Sequence, residues 1–170
     1  LPHSVPDTFQ SAVEKKLAAP AAVQKRYGYE VEKPEVKKSV DEYFKKNTHV
    51  AGMVMGGGHN GSDPNEPISI VSNPYNKYMQ DPAKREGLYK IEAARALMAS
   101  NPVPEFTLTP QMQKLRKLHF KPDEPYYSND QAFRESLISR VLTNDVPKNL
   151  ITPEMAAEAK RFEQLLKERE

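Results

Sequence analysis

The residues that come closest to spelling out a chemistry are Gly56-Gly57-Gly58-His59-Asn60-Gly61. They carry GxGxxG spacing directly after an apolar run, Val50–Met55. In a dinucleotide site such glycines sit at a strand-to-helix turn, with the helix N-terminus facing the pyrophosphate. Here Ser62-Asp63-Pro64-Asn65-Glu66-Pro67 follows instead, and two prolines among turn formers bar a helix. No Lys-Ser or Lys-Thr follows, so a Walker loop is also missing. The pattern reads as a glycine loop shaped by its surroundings. A nucleotide- or phosphate-binding enzyme using Gly56–Gly61 is the outlying alternative.

Other chemistries find less support. His3, His49, His59 and His119 share no helical face, and none stands at HExxH spacing. Asp63-Pro64-Asn65-Glu66 lacks the calcium-loop pattern, and the serines form no GxSxG elbow. The chain has no cysteine, which excludes disulfides and thiolate metal sites. Asn60-Gly61-Ser62 is a glycosylation sequon that matters only in a secreted chain. The expectation is no catalytic residue, no cofactor, no metal ligand and no small-molecule substrate.

Two groups of residues suggest binding. Lys114, Arg116, Lys117 and Lys121 crowd around Leu115, Leu118 and Phe120, and on a helix Lys114 and Lys117 share a side. Such a cluster can meet phosphates by displacing counterions, so these four are candidates for partner or RNA contact. A net charge of +2 falls short of the basic excess typical of dedicated nucleic-acid binders. Tyrosines form the second group. Tyr27/Tyr29, Tyr75/Tyr78 and Tyr126/Tyr127 lie in connectors, and Tyr75, Tyr78, Tyr126 and Tyr127 are the candidate protein interface, since tyrosine is enriched where proteins meet.

The elements that must position these residues are mostly helices. Asp81-Pro82, Thr109-Pro110 and Thr152-Pro153 repeat one device, an N-cap side chain followed by proline at the first helical position. One-sided apolar stripes follow each: Leu88, Ile91, Ala94, Leu97 and Met98; then Met112, Leu115 and Leu118; then Met155, Ala159, Phe162 and Leu166. Phe133, Leu137, Ile138, Val141 and Leu142 mark a fourth helix between Ser128 and Thr143. Val36, Val40, Tyr43 and Phe44 predict a fifth from Pro34 to about Lys46. Asp7 and Gln10 stand in capping-box register for a short helix to Ala18, and the stretch to Tyr29 is weakly helical. Val50–Met55 and Ile68–Val71 are extended and expected to pair weakly.

The fold expected is mainly α: several short amphipathic helices joined by long Pro/Gly/Tyr-rich extended connectors, with at most a small β-hairpin. Residues 1–55 would form short helices and an extended arm, 56–81 a Gly/Pro-rich connector and 82–170 a helical part. The connectors at 56–81 and 101–110 offer few large apolar side chains, and ordering a backbone opposes folding by about 1–2 kcal/mol per residue. They are therefore expected to need a partner's surface. Hydrophobic residues make up 38% of the chain, and 15 of its 170 residues are proline. No run reaches the length of a membrane span.

These features predict a non-catalytic structural accessory subunit of a large mitochondrial multiprotein assembly, on the matrix side or peripheral to the inner membrane. The missing initiator Met and a sequence pI near 8.7 suggest the organelle. The nearly balanced charge favours a respiratory-chain or ATP-synthase complex, with a mitochondrial ribosomal accessory protein contacting rRNA as the alternative.

Overall fold

A computed structural model describes residues 24–170, which cluster into two compact units, one ending at Asp81 and one running from Pro82 to Glu170. The first unit is built on a four-stranded sheet. Strand β1 (Lys25–Arg26) turns into β2 (Tyr29–Val31) through Tyr27 and Gly28, both at positive φ. Two central residues of that kind match the right-handed twist of the strands they join. Two short helices follow, α1 (Pro34–Ser39) and α2 (Asp41–Lys46), then β3 (Gly52–Met55) and β4 (Ser69–Ser72). The strand order is β1-β2-β4-β3. β2 runs parallel to β4, and β3 pairs antiparallel with β4 from Gly52↔Ser72 to Met55↔Ser69.

The expectation of at most a small hairpin is therefore overturned. The β3–β4 hairpin forms, but it is half of a mixed sheet in which β4 is central and buried along its whole length. β2 escaped notice because it is three residues long, too short for alternation to register. Its two inward residues, Tyr29 and Val31, are nonetheless buried. The single helix expected over Pro34–Lys46 is divided at Val40, whose φ of −107° and ψ of 4° leave the helical region. That break lets Val40 and Phe44 pack together on Val71 of β4. The helix expected over Asp7–Ala18 lies outside the described residues.

The second unit is helical. Its helices are α3 (Pro82–Met98), α4 (Pro110–His119), α5 (Pro125–Ser128), α6 (Asp130–Val141) and α7 (Pro153–Arg169). The caps expected at Thr109 and Thr152 are formed, for these side chains accept the N–H groups of Met112 and Met155 at 3.3 Å each. α6 packs against α3, α5 and α7, and its Phe133, Leu137 and Ile138 are buried with Leu88, Met155 and Phe162. Leu118 departs from the expected stripe of α4 and is 74% exposed.

The extended connectors are also corrected. Between Met98 and Pro110, Val103 and Phe106 are buried, and helices grip their backbone. Gln131 donates to the Val103 carbonyl at 2.8 Å, Arg134 to that of Phe106 at 2.9 Å and Arg161 to that of Pro102 at 3.2 Å. Long polar side chains on α6 and α7 supply the order that the connector's own composition does not. The 56–67 stretch closes on itself through Gly57 N–H to Glu66 O at 2.8 Å, and Asn60 Nδ2 ties it to the Val54 carbonyl of β3 at 2.8 Å. Among the described residues, no helix is long and apolar enough to cross a membrane.

Candidate functional site

Directly after β4 the sequence runs Asn73-Pro74-Tyr75-Asn76-Lys77-Tyr78, two Asn-x-Tyr units in tandem. The two asparagines do the same job twice. The Asn73 side chain is fully buried, and its amide donates to the carbonyls of Val50 (2.8 Å), Asn47 (3.1 Å) and Phe44 (3.4 Å). Its Oδ1 accepts the backbone N–H of Tyr75 at 2.9 Å. Asn76 donates to the carbonyls of Thr48 (3.1 Å) and His49 (3.4 Å), and its Oδ1 accepts the N–H of Tyr78 at 3.0 Å. Asparagine suits both positions because it carries donors and an acceptor on one short side chain and readily bonds the backbone two residues on.

Each unit thus ties a tyrosine's backbone to the 44–50 segment while its ring points outward. Tyr75 is 41% exposed and Tyr78 54%. A lysine accompanies each ring, with Lys45 Nζ 5.9 Å from the Tyr75 centroid and Lys77 Nζ 5.0 Å from that of Tyr78. The Tyr75 hydroxyl donates to Asp41 Oδ1 at 2.8 Å, and Lys45 lies 3.3 Å from the same carboxylate. That hydrogen bond, with Lys45 adding to it, holds Asp41 below the usual carboxylate range. The same bond to Asp41 pushes the Tyr75 phenol up, so Tyr75 remains a donor across physiological pH. What results is a pair of aromatic rings on a fixed turn, each with a cation beside it.

The other candidates fare unequally. Tyr126 and Tyr127 are half-buried. The Tyr126 ring lies 5.3 Å from that of Phe120 and under the Arg95 guanidinium at 5.1 Å, which makes it part of the second unit's interior packing. The basic cluster is divided. Lys114, Lys117 and Lys121 are exposed. Arg116 is buried, pairs with Asp130 at 2.6 Å, donates to the Tyr126 carbonyl at 2.9 Å and stacks 4.8 Å from the Phe133 centroid. Arg116 therefore braces α4 against α6, while the lysines face solvent.

The glycine loop offers little to a phosphate. Gly57, Gly58 and His59, whose N–H groups would cradle one, donate instead to Glu66 O, Asp63 O and Gly56 O. No helix follows the loop; the chain goes on into β4. Gly56 is needed for another reason. Its φ is +84°, and a Cβ there would lie 1.9 Å from the Pro67 carbonyl oxygen. The glycines serve a tight loop on the sheet edge. No group of His, Asp and Glu among the described residues could hold a metal ion.

Asn73 and Asn76 were not singled out by the sequence reasoning, which took the tyrosines without the residues that fix them. The signal was the repeated Asn-x-Tyr spacing just after an apolar strand. Comparison with protein-family models, curated proteins and solved structures gives no match to this chain.

Proposed function

We propose that the chain is a non-catalytic structural subunit of a multiprotein assembly, docked through Tyr75 and Tyr78. The observation that carries this reading is the tandem Asn-x-Tyr turn. Binding through a flexible segment loses affinity to the ordering of backbone and side chains. Here five hydrogen bonds of 3.1 Å or less from the two asparagine amides and to their oxygens fix the turn beforehand. The rings themselves have few torsions to freeze, which is why tyrosine serves so well in binding surfaces.

A net charge of +2 supports a protein-dominated particle, such as a respiratory-chain or ATP-synthase complex, over an RNA-rich one. The burial of Arg116 removes one of four cations from the ribosomal alternative. The mitochondrial setting rests on composition alone, a cysteine-free chain with a sequence pI near 8.7, and subcellular fractionation tests it.

The docking test compares the native chain with a Tyr75→Ala/Tyr78→Ala variant expressed at the same level in the source cells. Sedimentation of a gentle lysate should carry the wild type in a large particle of defined size. The variant should move to the position of the 19.3 kDa monomer with an unchanged circular dichroism melt. A wild-type chain found mainly as monomer, or a variant that stays in the particle, contradicts the proposal.

A further inference from the structure

We infer that the second unit holds a binding site for a free α-amino acid. A cleft of about 470 Å³ is lined by Glu105, Phe106, Thr109, Arg134, Thr152 and Glu154. Its size falls within the roughly 300–1,000 Å³ range of small-ligand sites. The central group is Arg134, on α6, which is only 8% exposed. Its Nε donates to the Phe106 carbonyl at 2.9 Å, and its guanidinium stacks 5.7 Å from the Phe106 ring centroid. Those contacts fix the plane of the group but leave both Nη nitrogens without a hydrogen bond. Glu105 Oε1 forms a loose ion pair with Nη2 at 3.8 Å, too long for a hydrogen bond. A buried guanidinium held in one plane, with two nitrogens open, is a fork shaped for a carboxylate.

The helices around the cleft favour the same charge. Thr109 and Thr152 are the N-caps of α4 and α7, and both are in its lining. Two helix starts, each the positive end of its dipole, therefore face one space. A plain anion is nonetheless a poor fit. Glu105 and Glu154 set two carboxylates on the same walls, and they oppose a phosphate or any dianion. An α-amino acid answers both demands. Its carboxylate lies on the Arg134 fork, and its ammonium, two bonds from the carboxylate carbon, comes within reach of Glu105. Glu105 is 86% exposed and able to turn toward it. Phe106 offers an apolar wall for the ligand's side chain. Binding is reversible and involves no covalent step.

The test uses the full chain and four probes, followed by NMR chemical shifts: L-leucine, N-acetyl-L-leucine (no ammonium), L-leucinamide (no carboxylate) and inorganic phosphate. L-Leucine should bind saturably and shift the amides around Phe106 and Thr152. Each of the other three should bind at least about tenfold more weakly, a difference of about 1.4 kcal/mol. Glu105→Gln alters an exposed side chain. It should weaken L-leucine about tenfold while N-acetyl-L-leucine gains, so that the two become nearly equal. Arg134→Lys keeps the charge, loses the fork and should weaken L-leucine to a similar degree. Should Arg134→Lys fail to fold, Glu105→Gln decides alone. The inference is overturned by non-saturable or scattered shifts with L-leucine. Phosphate or N-acetyl-L-leucine binding as tightly as L-leucine overturns it too, as does a Glu105→Gln variant that discriminates like the wild type.

Discussion

Replacing Asn73 by alanine should unlock the turn that carries Tyr75. The wild-type side chain makes two short bonds to carbonyls, at 2.8 and 3.1 Å, and receives the Tyr75 N–H at 2.9 Å. Its third contact, at 3.4 Å to the Phe44 carbonyl, is long and contributes little. The Asn47 and Phe44 carbonyls keep backbone partners in Val50 N–H and Asn47 N–H. The loss is therefore three bonds of about 0.5–1.5 kcal/mol each. Asn73 is fully buried, so water does not readily replace them. Their sum is about 2–4 kcal/mol. Amide hydrogen exchange read by NMR localises the effect. The β3–β4 amides should exchange on the order of a hundredfold faster, since 1.4 kcal/mol is a factor of ten, while those of α6 should stay as they were. Asn73→Asp is the control. It keeps the acceptor for Tyr75 but sets a carboxylate against three carbonyls, and it should destabilise at least as much as alanine. Acceleration below about threefold in Asn73→Ala, or an Asn73→Asp variant as stable as the wild type, would show that the asparagine does not hold the turn.

Other perturbations separate the remaining parts of the account. Gly56→Ala combines a left-handed φ with a clash against a backbone oxygen and should cost about 2–5 kcal/mol in urea unfolding. Gly61→Ala has the same sign of φ but nothing within 4 Å, so about 1–2 kcal/mol is expected. Leu137, 1% exposed at the centre of α6, should lose about 2–5 kcal/mol on truncation to alanine. Burial pushes the Glu92 carboxyl up, and Arg95 only partly offsets this. Only at a pH between the unfolded and the folded value does the folded form hold a proton that the unfolded form has released. Its contribution is fully present below the unfolded carboxylate range and is lost as pH rises through the folded value. Urea midpoints of the wild type should fall relative to Glu92→Gln between pH 4 and pH 7.5, and a constant difference would refute the shift.

What the sequence made legible were the features governed by neighbours along the chain. The Thr-Pro starts of α4 and α7 and the 133–142 stripe depend on residues three and four apart, and those are visible in one dimension. The β3–β4 hairpin was visible in the same way. The parallel β2–β4 pairing was not, because two helices and β3 intervene between three-residue β2 and its partner. The pinning of the 101–110 connector was equally hidden. Gln131, Arg134 and Arg161 stand on helices 28 or more residues further along the chain, and each reaches a carbonyl of that segment. Judged by composition the segment lacks the means to order itself, but side chains from elsewhere in the chain supply it. At the candidate site the tyrosines were legible as types. Their difference was not: Tyr126 turns inward onto Phe120, whereas Tyr75 and Tyr78 are held outward by asparagines whose partners lie more than twenty residues earlier. Arg116 was misleading for a related reason, since its partner Asp130 belongs to another helix.

The central claim is that Tyr75 and Tyr78 form the docking face. Its most direct measurement is oxidative footprinting of the tyrosines, by mass spectrometry, in the isolated chain and in the native particle. Tyr43 is the internal reference, because it is comparably exposed, at 48%, and has no assigned role. In the particle, Tyr75 and Tyr78 should lose most of their reactivity while Tyr43 keeps its own. Equal reactivity of Tyr75 and Tyr78 in the two preparations would contradict the docking face outright.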